Sequence, residues 1–173
     1  HMAFKGTHQR SAIQIAEEIE AVGGYLNAYT ARETTAYYAR VLKENVGLAV
    51  DILGDILQNS TFNPEEFTRE QSVVLQEIGQ AHDTPDDIIF DYHQEACYPQ
   101  QSMGWPILGR VEVIQSIAPE TVKNYMAQHY GAEHMVFAAA GNVNHEELVA
   151  KVYHHFAKLK PKSDCASKPA MYQ

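Results

Sequence analysis

Gly23-Gly24-Tyr25-Leu26-Asn27-Ala28-Tyr29-Thr30, followed after Ala31 to Thr34 by Thr35-Ala36-Tyr37-Tyr38-Ala39-Arg40-Val41, is the stretch on which the fold class turns. Its β-branched and aromatic residues favour extended backbone, and the short polar connection between the two runs predicts an antiparallel hairpin. Both flanks read as helix. Ser11-Ala12-Ile13-Gln14 has the form of a capping box, and Ile15, Ala16, Ile19 and Val22 follow at helical spacing until Gly23-Gly24 stops them. After the hairpin, Leu42 to Gln58 returns to that spacing through Val46, Ala49, Val50, Leu53 and Leu57. Strands set between helical blocks imply an α+β fold, with helices packed on one side of an antiparallel-rich sheet.

Asn63-Pro64-Glu65-Glu66 has the composition of a helix start, with proline in the first turn and acids at the positive end of the dipole. The helix it opens contains Thr68-Arg-Glu-Gln-Ser-Val-Val-Leu-Gln-Glu-Ile-Gly-Gln80, in which Glu70 and Glu77 stand two turns apart. At roughly 3.6 residues per turn both carboxylates project from one stripe, while Val73, Val74, Leu75 and Ile78 occupy sides that could pack inward. Asp83 to Asp87 breaks this helix and starts another, running to about Tyr98. Pro99 to Gly109 is turn-rich, and its Trp105, the only tryptophan, is expected to plug an apolar gap. Short helices are expected at Val111 to Ile117 and Pro119 to Tyr130. An apolar strand is expected from His134 to Ala140, and a last amphipathic helix from His145 to Leu159. One α+β domain therefore covers residues 1–160, with a polar linker beginning at residue 161.

The chain has 173 residues, 45% of them hydrophobic, enough for one core of its own. A formal charge of −9 with 13 Lys and Arg argues against nucleic acid and against an anionic membrane surface, both of which require a basic face. Cys97 and Cys165 differ too much in context to suggest a disulfide framework or a cysteine-type zinc site. No apolar run approaches the ~20 residues of a membrane span, and no signal peptide is present in the sequence.

His1-Met-Ala-Phe-Lys-Gly-Thr7, the Gly23 to Thr30 run with Glu33 to Tyr37, and the Glu70/Glu77 pair together resemble the pitrilysin/insulinase family of zinc peptidases, in particular its processing-peptidase branch. That family carries an inverted His-x-x-Glu-His motif and, roughly 75 residues on, a glutamate that completes the metal site. The separation from His1 to Glu77 fits this pattern. Met2 to Phe4 would then finish a helix that Lys5-Gly6 ends, and Pro169 to Gln173 would start the next strand of a half domain of the family fold.

The resemblance implies that His1 and Glu77 are zinc ligands and that Glu70 is the family's second acid, supporting the site by orienting water or a ligand. The first metal histidine and the general-base glutamate would precede His1, which marks the chain as a fragment of an endopeptidase, inactive by itself. His-Met at a chain start can also be a cloning remnant, but the family pattern expects His before Met-x-Phe-x-Gly. Asn27, Ala28, Tyr29 and Thr30 match the family's substrate-binding edge strand, on which an extended peptide adds as a further strand. Implied partners are a peptide substrate and a second homologous domain or subunit that closes a chamber. Self-association of the fragment through its open sheet edge is also expected. The implied compartments are the bacterial cytoplasm or periplasm, or the mitochondrial matrix. Two other readings stand beside this one: a non-catalytic subunit of the same fold, and an acidic peptide-binding module whose two glutamates are surface residues. The remaining histidines form no ligand pairing; His154 and His155, being adjacent, diverge on a helix.

Overall fold

The computed structural model describes residues 1–159 and 168–173. The polar linker expected from residue 161 lies, as far as Ser167 and including Cys165, outside the described residues. Helix α1 (Ala12–Glu20) is followed by strands β1 (Tyr25–Thr30) and β2 (Thr35–Arg40), then by α2 (Val46–Gln58), α3 (Pro64–His82) and α4 (Pro85–Cys97). Helices α5 (Val111–Ser116), α6 (Pro119–His129) and α7 (His145–Phe156) complete the order. The fold is α+β, mostly helical among the described residues, with a small antiparallel sheet whose register runs from Tyr25 opposite Arg40 to Thr30 opposite Thr35.

The capping box at Ser11 forms in full: its hydroxyl accepts from the Gln14 N–H, and the Gln14 side chain accepts from the Ser11 N–H. Helix α1 thereby starts where its apolar stripe can meet α2. Ile15 and Ile19 pack with Ala3, Ile52, Leu53 and Ile56 in the main core. The inward face of the hairpin, Leu26, Tyr37 and Ala39, closes that core from one side. Gly24 permits this approach, since a Cβ there would lie 2.9 Å from both the Ile19 carbonyl oxygen and the Val41 side chain. A second, smaller core holds Met2, Phe62 and Phe67, with Ile117, Val122 and Met126 against it.

Beneath the main core is an ionic network that the sequence alone did not suggest. Asp55, 3% exposed, accepts hydrogen bonds from the Thr7 hydroxyl (2.7 Å), Arg10 Nη1 (3.1 Å) and Asn59 Nδ2 (2.9 Å). Arg10 reaches Asp51 and Glu18 as well. Burial works against the Arg10 charge, but its bonds to Asp51, Glu18 and Asp55 outweigh that and raise its pKa.

Several expectations are corrected. Residues 135–140 form no strand: a 3₁₀ turn occupies Ala132–His134, and Val136, 93% exposed, follows without a ladder partner among the described residues. Apolar composition alone cannot make a strand without a neighbouring edge to pair with. Trp105 plugs nothing; it is 56% exposed, and its carbonyl accepts from Arg32 of the hairpin loop. Val73 faces outward, because the α3 stripe that packs inward is centred on Phe67, Glu70 and Ile78. Residues 169–173 form no strand with the described residues, and Met171 instead exchanges backbone hydrogen bonds with the Gln101 side chain.

Asp55→Ala leaves Arg10, Thr7 and Asn59 short of a buried partner and is expected to cost about 3 kcal/mol in urea denaturation at neutral pH. Glu18→Gln, at the partly exposed rim of the same network, is expected to cost no more than about 1 kcal/mol.

Candidate functional site

The site begins with the first four residues. Met2–Phe4 form a 3₁₀ turn whose neighbouring side chains anchor in different places: Met2 in the small core beside Phe67 of α3, Ala3 in the main core. Phe4 lies against Tyr37 of β2, ring centroids 6.0 Å apart. The chain then reverses at Gly6, whose φ of 109° is one that other residues rarely adopt. The Gly6 carbonyl accepts from the Thr61 N–H (3.1 Å), and the Met2 carbonyl accepts from the Ser60 hydroxyl (3.2 Å). Held at so many points, the turn has one way to present His1, which is over α3.

Helix α3 is equally well fixed. The Asn63 side chain caps it by accepting from the Glu65 and Glu66 N–H groups, and Pro64 occupies its first turn. Phe67 and Ile78 bury its inward stripe, which carries Glu70 into the protein at 8% exposure. The Glu70 carboxylate has a partner on each oxygen: Oε2 lies 2.9 Å from His1 Nδ1, and Oε1 accepts from Lys5 Nζ at 2.6 Å. Burial by itself would raise the Glu70 pKa, but the hydrogen bonds from Lys5 and His1 outweigh it and hold the carboxyl below its ordinary value. Two turns on, Glu77 Oε2 stands 3.6 Å from His1 Nε2. Its side chain is 40% exposed and has no other partner among the described residues. His1 thus lies between two carboxylates of unlike character, one engaged on both sides and one open.

Asn27 to Thr30 lie on β1, whose side away from β2 has no strand partner among the described residues. The Asn27 side-chain oxygen Oδ1 accepts from the Ala28 N–H (2.8 Å) and its Nδ2 donates to the Tyr25 hydroxyl, so its side-chain bonds stay within its own strand. The hairpin is tied to the turn of His1 through the opposite face, where Tyr37 packs on Phe4 and its hydroxyl meets that of Tyr130 at 3.1 Å. Burial, with that hydrogen bond adding to it, pushes the Tyr37 pKa well up. Sequence reasoning brought His1, Glu70 and Glu77 to notice and missed Lys5. The signal was available, since Lys5 follows His1 by four residues, about one helical turn. Among the described residues, no group of three or more His, Cys, Asp or Glu is arranged to hold a metal ion.

The pattern of the insulinase family, peptidase family M16, matches residues 1–110, which span the His1 turn, the hairpin and all of α3. The chain belongs to this family. The pattern described as the peptidase M16 inactive domain matches residues 116–173. An uncharacterised zinc protease of Rickettsia felis is 44% identical over 99% of this chain and 42% of its own length. A probable mitochondrial-processing peptidase subunit beta of Arabidopsis thaliana is 45% identical over 92% of this chain and 30% of its own length. The chain therefore spans less than half the length of these M16 relatives. In fold it is similar to a protease from Helicobacter pylori, with a TM-score of 0.88 at 22% identity over 98% of this chain and 41% of that one.

Because the folded-state pKa of Glu70 is depressed, the stabilisation from its ionised form is present above the ordinary glutamate pKa and is lost as pH falls through the folded value. The stability difference between wild type and Glu70→Gln is therefore expected to be largest near neutral pH and to shrink on acidification through the carboxylate range. Urea denaturation across that range measures it; a difference independent of pH would contradict the depressed pKa.

Proposed function

We propose that this chain is part of the catalytic region of a zinc-dependent endopeptidase acting on extended peptides or presequences, with His1 and Glu77 as two of the metal ligands. The observation that carries the reading is the 3.6 Å approach of His1 Nε2 to Glu77 Oε2, with both side chains partly open to solvent. Two donors held about 2.0–2.2 Å from one tetrahedral zinc ion stand roughly 3.3–3.6 Å apart, so this pair suits one edge of such a shell. A bound zinc ion supplies Lewis acidity and lowers the pKa of its water toward neutrality.

The residues of the chain divide the remaining work. Glu77 offers an unengaged carboxylate, His1 offers Nε2, and Glu70, already engaged on both oxygens, orients the His1 ring rather than binding the ion. In the family pattern a further histidine ligand and a general-base glutamate precede the position of His1, and a longer protein would contribute them. The open side of β1 is the place for an extended substrate. Because the Asn27 oxygen already covers the Ala28 N–H, a peptide must displace that side chain to pair there, which makes Asn27 sensitive to register. A second homologous domain or subunit would enclose the substrate, in keeping with relatives more than twice as long as this chain.

In the full-length protein, Glu77→Gln is expected to abolish both zinc binding and cleavage of a fluorogenic peptide, while the 173-residue chain alone cleaves nothing. Stoichiometric tight zinc binding and turnover by the 173-residue chain would show that the site is not the one proposed. The open β1 edge is expected to make the isolated chain self-associate, with light scattering reporting a mass above the monomer as concentration rises.

A further inference from the structure

Lys5 is the one charged group at this site that the proposed function leaves without a task. It ends the 3₁₀ turn that carries His1, and its N–H donates to the Met2 carbonyl (3.1 Å). Its backbone is thus fixed relative to His1 before its side chain makes any contact. Gly6 turns the chain away immediately afterwards, and the Lys5 ammonium reaches back to Glu70 Oε1 at 2.6 Å. The other oxygen of the same carboxylate meets His1 Nδ1 at 2.9 Å.

We propose that Lys5 is a positioning residue for His1: by holding one oxygen of Glu70 it fixes the other against Nδ1, so that Nε2 is the nitrogen turned toward Glu77 and left free for a metal ion. The inference rests on the reading of His1 and Glu77 as ligands. Three features support it. With Glu70 buried, loss of the Lys5 ammonium leaves its carboxylate one directed protein partner instead of two, and free to rotate. A carboxylate that accepts a hydrogen bond on each oxygen can meet His1 only as an acceptor, which places a ring proton on Nδ1 and makes Nε2 the nitrogen that a metal ion would take. Occupation of both oxygens also keeps Glu70 from competing with Glu77 as a ligand, so the lysine separates the roles of two otherwise identical acids.

The test uses the full-length protein and zinc itself, titrated against a chromophoric chelator. Wild type is expected to bind one equivalent, and Glu77→Gln to lose roughly 100-fold or more in affinity. Lys5→Met is expected to weaken zinc binding by about tenfold, with Lys5→Arg recovering most of the loss because it restores a cationic donor to Glu70. Histidine-selective NMR of the metal-free protein is expected to show the Nδ1–H form of His1 in wild type and Lys5→Arg, and a mixture of tautomers in Lys5→Met. If Lys5→Met does not fold, Lys5→Gln takes its place. Unchanged zinc affinity and an unchanged His1 tautomer in the Lys5 variant, with Glu77→Gln still defective, would overturn the role given to Lys5 and leave the ligand reading standing. A lowered melting temperature without change in either readout would overturn it equally. Undiminished zinc binding by Glu77→Gln would instead overturn the ligand reading itself.

Discussion

The buried carboxylate of Glu70, held between Lys5 on one oxygen and His1 on the other, is the constraint around which this part of the protein is arranged. A carboxylate at 8% exposure has lost most of its hydration, and each charge-assisted hydrogen bond must offset part of that loss. Both partners come from the same short segment, separated from Glu70 by more than sixty residues of chain. The N-terminal turn and α3 are therefore joined by polar contacts above and by Met2 against Phe67 below. Neither set alone would fix the orientation of His1: apolar packing sets distance but not the rotation of a ring, and hydrogen bonds set rotation only when the backbone is already in place.

The backbone is placed by the rest of the fold. The turn of His1 lies between two cores, and the loop after it is stitched to residues 59–61 by the Gly6 and His8 backbone bonds and by the Thr7–Asp55–Arg10 network. Helix α2 supplies Asp55 to that network and Ile52 and Ile56 to the main core, so one helix supports the turn through both polar and apolar contacts. The hairpin joins through Tyr37 and Phe4, which places the candidate peptide edge and the candidate metal residues on elements that share a core rather than on independent loops.

What the sequence made legible was local. The capping box at Ser11, the hairpin from Tyr25 to Arg40 and the Asn63 cap of α3 each depend on residues within a few positions of one another, and each forms where the pattern places it. Helical spacing put Glu70 and Glu77 on one stripe, but the meeting of His1 with that pair was legible only through the family resemblance, because no periodicity relates residues so far apart in the chain. What was not legible depended on partners the pattern cannot supply. Residues 135–140 are apolar enough for a strand but have none beside them among the described residues, and Trp105 is held through its backbone carbonyl by Arg32 while its ring stays exposed. Lys5 was passed over because a lysine before glycine at a helix end already has an adequate local explanation.

Glu70 and Glu77 show how far position along one helix can separate two copies of the same side chain. Two helical turns bring them to the same stripe, so rotation about the helix axis cannot distinguish them. What differs is the surroundings at each level of the axis. At Glu70, α3 lies beside the Met2 and Phe67 cluster and within reach of Lys5, so the carboxylate is desolvated and both oxygens are committed. Two turns further on, about 10 Å along the axis by helix geometry, Glu77 keeps its carboxylate 40% exposed and uncommitted except toward His1. The imidazole spans this gradient with its two nitrogens, Nδ1 directed at the committed acid and Nε2 at the open one. A ligand needs a lone pair that nothing else occupies, and an orienting group needs to be immovable. The helix places one acid where it can meet the first requirement and the other where it can meet the second.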